Sequence, residues 1–219
     1  MALAADATLD EVRAHLGPLI AANAGFDGWS AAARDMAADQ AGVDRDIAAL
    51  AFTEGAPAMI TAWFDSIDAA MVAALPKDRL ATMKIRARIR EQICARLEIM
   101  HPHRDALRRA HAVLAMPGNV ALGARLGWRA ADLMWRQAGD TATDYNHYTK
   151  RALLAGIYAA TVTVFLGDET SDWADTRAFL DRRIDGIMRF EKLKSGFVER
   201  SQNLPSLSRF IGRLRYPAA

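Results

Sequence analysis

Two carboxylate-x-x-histidine pairs stand out in the chain, Glu98-x-x-His101 and Asp144-x-x-His147. Residues three apart share a helix face, and Glu-x-x-His on two helices of a bundle is one way to hold a pair of iron ions. That design also needs two inward carboxylates from other long helices, and no convincing pair is present. His101 precedes Pro102, which ends its helix, and His101 with His103 forms only a two-ligand clip. Solvated helix ends account for both pairs, so no metal site is expected. The chain has no Gly-rich phosphate loop and no nucleophile elbow. Its single cysteine, Cys94, excludes a disulfide framework or a Cys-based zinc site and fits a reducing compartment. Cys94 lies among Ile93, Leu97 and Met100, the setting of a buried structural thiol. No catalytic residue and no cofactor is nominated.

Two other places invite binding rather than catalysis. Arg151 follows Tyr148-Thr149-Lys150 and precedes 16 residues, 152–167, without a charged side chain. A fixed cation at the mouth of an apolar region suits a phospholipid head group, and a pairing of Arg151 with Asp144 or another acid is the plainer alternative. A bilayer crossing takes about 20 apolar residues, so this stretch reads as a helix buried on all sides. Its small residues Ala155, Gly156, Ala159 and Ala160 allow close approach of a second helix, either within the core or across a two-fold dimer. The second place is the C-terminal end. Leu207, Phe210, Ile211 and Leu214 form an apolar stripe with Arg209 and Arg213 on or beside the other face, and residues 192–219 hold six bases and one acid. A short basic amphipathic helix behind Ser195-Gly196 reads as a membrane-surface anchor.

The elements that must position these residues are all helical. With 219 residues, 52% hydrophobic and 25% charged, the chain has enough apolar content for one packed domain with a small appendage. No stretch alternates apolar and polar residues as a half-buried strand does. Thr8-Leu9-Asp10-Glu11 is a capping box, and Leu9, Val12, Leu16, Leu19 and Ile20 make the apolar face of a helix ending near Ala24-Gly25. Helices are expected over Ser30–Gln40, Asp44–Phe52 and Pro57–Leu75. A basic helix after Pro76 ends at His101-Pro102, and further ones run to Met116, over Val120–Gln137, from Thr143 or Asp144 to Phe165, and from Ser171 to Lys194. That gives nine or ten helices in three segments: an N-terminal module (1–75), a helical core (76–194), and a hinge with amphipathic helix (195–219). The first twelve residues lack a basic or Arg-rich character, so no signal or transit peptide is expected.

Charge separates the segments. Residues 1–75 contain three basic and eleven acidic residues, a net of −8. The helix pair around Ala41-Gly42-Val43 has the length and turn of a helix-turn-helix and resembles the N-terminal module of TetR-type regulators. Its second helix begins Asp44-Arg45-Asp46, two acids and one base, in a region that repels phosphates. A packing module is expected, with no nucleic acid bound.

The run from Asp140-Thr141-Ala142-Thr143-Asp144-Tyr145-Asn146-His147-Tyr148-Thr149-Lys150-Arg151 to Tyr158, and the run Trp173-Ala174-Asp175-Thr176-Arg177-Ala178-Phe179-Leu180-Asp181-Arg182-Arg183-Ile184, resemble one family. It is the ubiquinone-biosynthesis accessory family "coenzyme Q nine", whose bacterial members are often labelled RpsU-divergently transcribed proteins. The likeness is dense from about Leu80 to Lys194 and includes Trp128, Met134-Trp135 and Ala138-Gly139-Asp140. The resemblance implies an all-α, TetR-like fold without DNA binding, a homodimer, and an apolar cavity for an isoprenoid quinone or phospholipid. It also implies a C-terminal helix on the membrane surface and a non-catalytic role. That role is presenting a polyprenylated quinone intermediate to the di-iron demethoxyubiquinone hydroxylase, from the inner face of the cytoplasmic membrane. Carried onto this chain, the hydroxylase-docking patch falls on Met134, Trp135, Asp144, Asn146, His147 and Tyr148. His147 stands where the family usually has Trp, a better anchor. Arg151 matches a basic position beside the lipid cavity, for which the apolar Ile93, Leu97, Leu133 and Ile157 are nominated. The competing readings are a TetR-type ligand-responsive regulator and a helical di-iron oxygenase.

Overall fold

The structure, a computed structural model, describes residues 6–141 and 145–186, with the side chains of 145 and 146 outside that description. It is built of helices, with no strand among the described residues. They are α1 (Leu9–Asp27), α2 (Ala31–Ala41), α3 (Arg45–Ala51), α4 (Ala56–Ala74), α5 (Lys77–Ala81), α6 (Ile85–Met100), α7 (Arg104–Leu114), α8 (Val120–Gln137) and α9 (Tyr145–Gly167). A tenth, α10, runs over 174–186. The chain divides into two compact units, 1–180 and 181–219. The expected anchor residues Leu207, Arg209, Phe210, Ile211, Arg213 and Leu214 lie outside the described residues, as do Asp144 and the expected cap Thr143.

Local chemistry sets the boundaries. Thr8 Oγ1 accepts from the Glu11 amide and the Thr8 amide donates to Glu11 Oε2 at 2.8 Å, closing the capping box. α1 does not stop at Gly25 but runs two residues further, to Asp27, after which Gly28 supplies a positive φ of 71°. Ser30 caps α2, Gly42 ends it in the left-handed region, and Asp44 Oδ1 caps α3 by accepting from two amides. The basic helix expected after Pro76 is in fact two, α5 and α6. Arg88 explains the break, because its guanidinium donates to carbonyls that a continuous helix would use internally, those of Ala81 and Met83. The same side chain donates to Ala138 C=O at 2.6 Å, at the end of α8. Ser171 likewise opens a 3₁₀ turn rather than the last helix itself. The carboxylate of Asp168 receives the amides and hydroxyls of both Thr170 and Thr176 and fixes the start of α10.

Packing in the 1–180 unit is centred on α1, which contacts α2, α3, α4 and α7. The expected N-terminal module therefore shares its core with later helices. Gly17 makes the α1–α4 approach possible, since a Cβ there would stand 2.9 Å from the backbone carbon and oxygen of Ala62. Trp63 is buried between Trp29 (ring centroids 5.4 Å apart) and Phe64 (5.3 Å), and Trp29 Nε1 donates to Ala106 C=O. α9 packs most closely along α8, with further contacts to α6 and α7. By length and composition its stretch His147–Gly167 could cross a membrane, yet one side of it is seated in the unit.

Candidate functional site

A cavity of about 360 Å³ opens among α4, α6, α7, α8 and α9. Its wall is formed by Phe64, Leu107, Leu114, Ala115, Val120, Gly123, Ala124, Leu126, Gly127, Ala159 and Val162, with Arg96, His111 and Tyr158 as the polar members. The volume falls within the range of small-ligand pockets, roughly 300–1,000 Å³. Small residues create it. On α8, Gly123 lets the helix approach Leu114 of α7, at 3.5 Å from where a Cβ would stand, while a Cβ at Gly127 would meet nothing within 4 Å and leaves the hollow open. Val120 is exposed at its rim.

The polar members are tied together. Arg96 is almost fully buried, its Nε donates to Tyr158 Oη at 3.0 Å, and its guanidinium lies 5.0 Å from the Tyr158 ring centre. Tyr158 in turn points its hydroxyl at Met100 Sδ. Arg96 also pairs with Asp68 on α4, which sits 3.5 Å from Arg129 Nε, while Arg129 pairs with Asp65 at 2.5 Å. Burial works against the Arg96 charge, but Tyr158 and Asp68 outweigh it and hold the guanidinium above its ordinary value. Burial lowers the pKa of His111, so this wall residue is a neutral imidazole.

α7 couples this wall to the end of α9. Arg104 donates to the carbonyls of Phe165 and of Asp168 (2.8 Å), and Arg108 donates to Leu166 C=O at 3.0 Å. These cations satisfy the last carbonyls of α9.

A second cluster occupies the crossing of α8 and α9. Arg151 has a side chain 2% exposed, and its Nε donates to Asp132 at 2.6 Å. Its Nη1 donates to Asp140 at 3.1 Å and to the His147 carbonyl. Lys150 joins Asp140 at 2.8 Å and stands over the Trp135 ring, whose Nε1 donates back to Lys150 C=O. Burial raises the Asp140 pKa, but Lys150 and Arg151 lower it further, and its net value is depressed. Among the described residues the partners of Arg151 are acids, Asp132 and Asp140, as the plainer alternative of an acid pairing allowed; Asp144 lies outside the described residues.

The nominated residues separate into three groups. Ile93 and Leu97 are buried in the core, and Leu133 and Ile157 are half-buried; none of these, nor Arg151, lines the cavity. Of the docking residues, Met134 is fully buried, so it lies behind the surface. Trp135 and His147 are half-buried, and Tyr148 is 63% exposed beside Trp128 and His147. The Asn146 side chain lies outside the description. Gly156 and Ala159 are exposed, and Ala155 and Ala160 half-buried, on a face of α9 that also exposes Leu153. A Cβ at Gly156 would meet nothing within 4 Å.

The sequence reading missed Arg96, His111, Tyr158 and Asp68. A signal existed for one of them: Arg96 falls on the buried stripe Ile89, Ile93, Met100 of α6, where a charge demands a partner. That partner lies 28 positions earlier. Among the described residues, no three His, Cys, Asp or Glu side chains are grouped to hold a metal. Glu98 faces Arg177, and His101 packs on Trp173. Cys94 is buried, which raises its thiol pKa. In the α2–α3 pair, Arg45 is bound to Asp39 through two hydrogen bonds.

Comparison with known proteins gives two kinds of likeness. Residues 120–191 match the family described as COQ9. The ubiquinone biosynthesis protein COQ9, mitochondrial, is 40% identical in Rattus norvegicus and 37% identical in Homo sapiens, each over 100 residues and 46% of this chain. The chain spans about a third of the length of these relatives, 32% and 31%. In three dimensions it is similar to the TetR transcriptional regulator from Nitrosomonas europaea ATCC 19718, with a TM-score of 0.64 at 20% identity. That likeness covers 80% of this chain and 97% of the regulator. The fold is therefore TetR-like.

Proposed function

The segment 120–191 is of the COQ9 family, and from that premise we propose that this chain serves ubiquinone biosynthesis as a non-catalytic lipid-binding protein. It takes an isoprenoid quinone intermediate, or a phospholipid, into the cavity and presents the head group to the demethoxyubiquinone hydroxylase at a membrane surface. The observation that supports this most is the cavity, whose wall is drawn largely from α8 and α9 of the family-matched segment. An exposed methylene costs roughly 0.8 kcal/mol in water, so a prenyl tail needs such a shelter to leave the bilayer.

The rest of the arrangement is consistent with delivery. Trp135, His147 and Tyr148, with Trp128, form a partly exposed aromatic surface at the α8–α9 crossing, suited to a protein partner. The exposed small-residue face of α9 at Ala155, Gly156, Ala159 and Ala160 suits a two-fold homodimer. The basic stripe Leu207–Leu214 supplies the membrane contact, on the inner face of the cytoplasmic membrane in a bacterial cell. The acidic α2–α3 pair, with Arg45 held by Asp39, argues against DNA.

Native mass spectrometry of the purified protein, with organic extraction and identification of any small molecule, tests the reading. A dimer carrying an isoprenoid quinone or phospholipid is expected. Protein that is lipid-free and takes up neither from vesicles would overturn it. Replacing Phe210 and Ile211 by Ser is expected to abolish vesicle flotation, and binding retained by that variant would sink the anchor.

A further inference from the structure

The charges around the cavity form a closed set. Arg96 reaches the wall, but its guanidinium is bound to Asp68 and Tyr158. Asp68 is shared with Arg129, and Arg129 with Asp65. Two arginines and two aspartates make this network formally neutral. Asp68 joins its two cations, and its side chain is only 15% exposed. The remaining polar wall residue, His111, adds no charge. A carboxylate or phosphate entering the cavity would shed its water and meet, among the lining residues described, a cation already neutralised. An alcohol, ether or quinone carbonyl carries no such penalty.

We propose that Asp68 is the specificity-determining residue of this cavity: by neutralising Arg96 at the wall, it bars anionic ligands and reserves the site for uncharged amphiphiles. This rests on the lipid-binding reading above and narrows it to the uncharged class. It also makes a reversal available. Removing the Asp68 charge leaves Arg96 as an unmatched buried cation beside an apolar hollow, which is the composition of a fatty-acid site.

The test uses the full chain and two nearly isosteric probes, farnesol and farnesoic acid, titrated singly and in competition by calorimetry and native mass spectrometry. Wild-type protein should prefer farnesol by at least about tenfold. Asp68→Asn should raise farnesoic acid affinity by about tenfold or more while farnesol changes by less than about threefold. The double variant Asp68→Asn with Arg96→Gln should lose that gain, because the cation is gone. Equal affinities in the wild type, or a folded Asp68→Asn that gains nothing for the acid, would overturn the proposal. If Asp68→Asn does not fold, as judged by circular dichroism, the wild-type comparison decides alone. A wild type that binds neither probe refutes the lipid-binding reading itself, an outcome distinct from binding without preference.

Discussion

Two arginines, Arg96 and Arg151, are buried to the same degree in the 1–180 unit, and they do different things. Each is held by carboxylates from another part of the chain. Arg151 lies where α8 and α9 cross, with Asp132 and Asp140 on one side and the His147 carbonyl on the other, and it is not among the residues lining the cavity. Among the described residues Arg96 pairs with one carboxylate, Asp68 on α4, and it also meets an aromatic ring and the hollow. The first is a clasp, since its described partners are groups of the protein that it ties together. The second is a wall, since one direction leads to space a ligand can occupy. Burial of a charge alone therefore does not locate a binding site; what the charge borders does.

The contrast can be broken in four ways. The largest effect is expected from Arg151→Ala, which removes the cation joining Asp132 and Asp140, leaves them to the more exposed Arg136 and Lys150, and should cost about 3 kcal/mol in urea unfolding, the low end for a broken buried pair. Ligand affinity in the surviving folded fraction should stay unchanged, and a large affinity loss with little destabilisation would reverse the assignment of clasp and wall. Next comes acid. Asp140 and Asp168 both ionise more readily in the folded protein. In each, burial is outweighed, by Lys150 and Arg151 for Asp140 and by the hydrogen bonds of Thr170 and Thr176 for Asp168. The stability they contribute is fully present above the unfolded carboxylate value, about 3.9, and is lost as pH falls below it toward the folded values. Burial lowers the pKa of His103 and His111, so a smaller loss begins as pH falls below about 6.5. A melting temperature flat from neutral pH to pH 3 would contradict both.

Third, Tyr158→Phe removes the hydroxyl that accepts from Arg96 and should cost about 1–3 kcal/mol, the range for an unsatisfied buried donor. Unlike Arg151→Ala, it should also change ligand affinity, read by the same titrations. Smallest in stability is Gly156→Glu on the open face of α9, where a Cβ meets nothing within 4 Å. Its unfolding midpoint should barely move, while sedimentation should show the mass halved if that face joins two copies. An unchanged mass would remove α9 from the dimer.

The same contrast explains what was legible in the sequence. The start of α1, both ends of α2, the starts of α3 and α4 and the end of α8 are written locally, in Thr8, Ser30, Gly42, Asp44, Pro57 and Gly139, because caps and turn residues act within three or four positions. The split of α5 from α6 was not legible, because it depends on Arg88, which also binds a carbonyl 50 positions on. The α8–α9 clasp was half legible. Arg151 was noticed for its place beside an uncharged stretch, but its partners could not be chosen among several acids. The cavity was the least legible. Ile93, Leu97, Leu133 and Ile157 are apolar residues at core spacing, and spacing reports which face turns inward, not where the interior is left unfilled. The hollow is lined by side chains that are small, Ala124 and Gly127 among them, and that subtraction needs the three-dimensional packing.

The three guanidinium bonds that α7 sends to the last turn of α9 give this helix two attachments with opposite tolerances. Its face at Leu107, His111 and Leu114 borders the hollow, while Arg104 and Arg108 grip backbone carbonyls whose bonds fail within about an ångström of stretch. A guest too wide for the hollow would thus be resisted at the far end of α9 rather than at the point of contact. Amide exchange in the residues just after Gly167 would act as a strain gauge for what fills a space they do not touch.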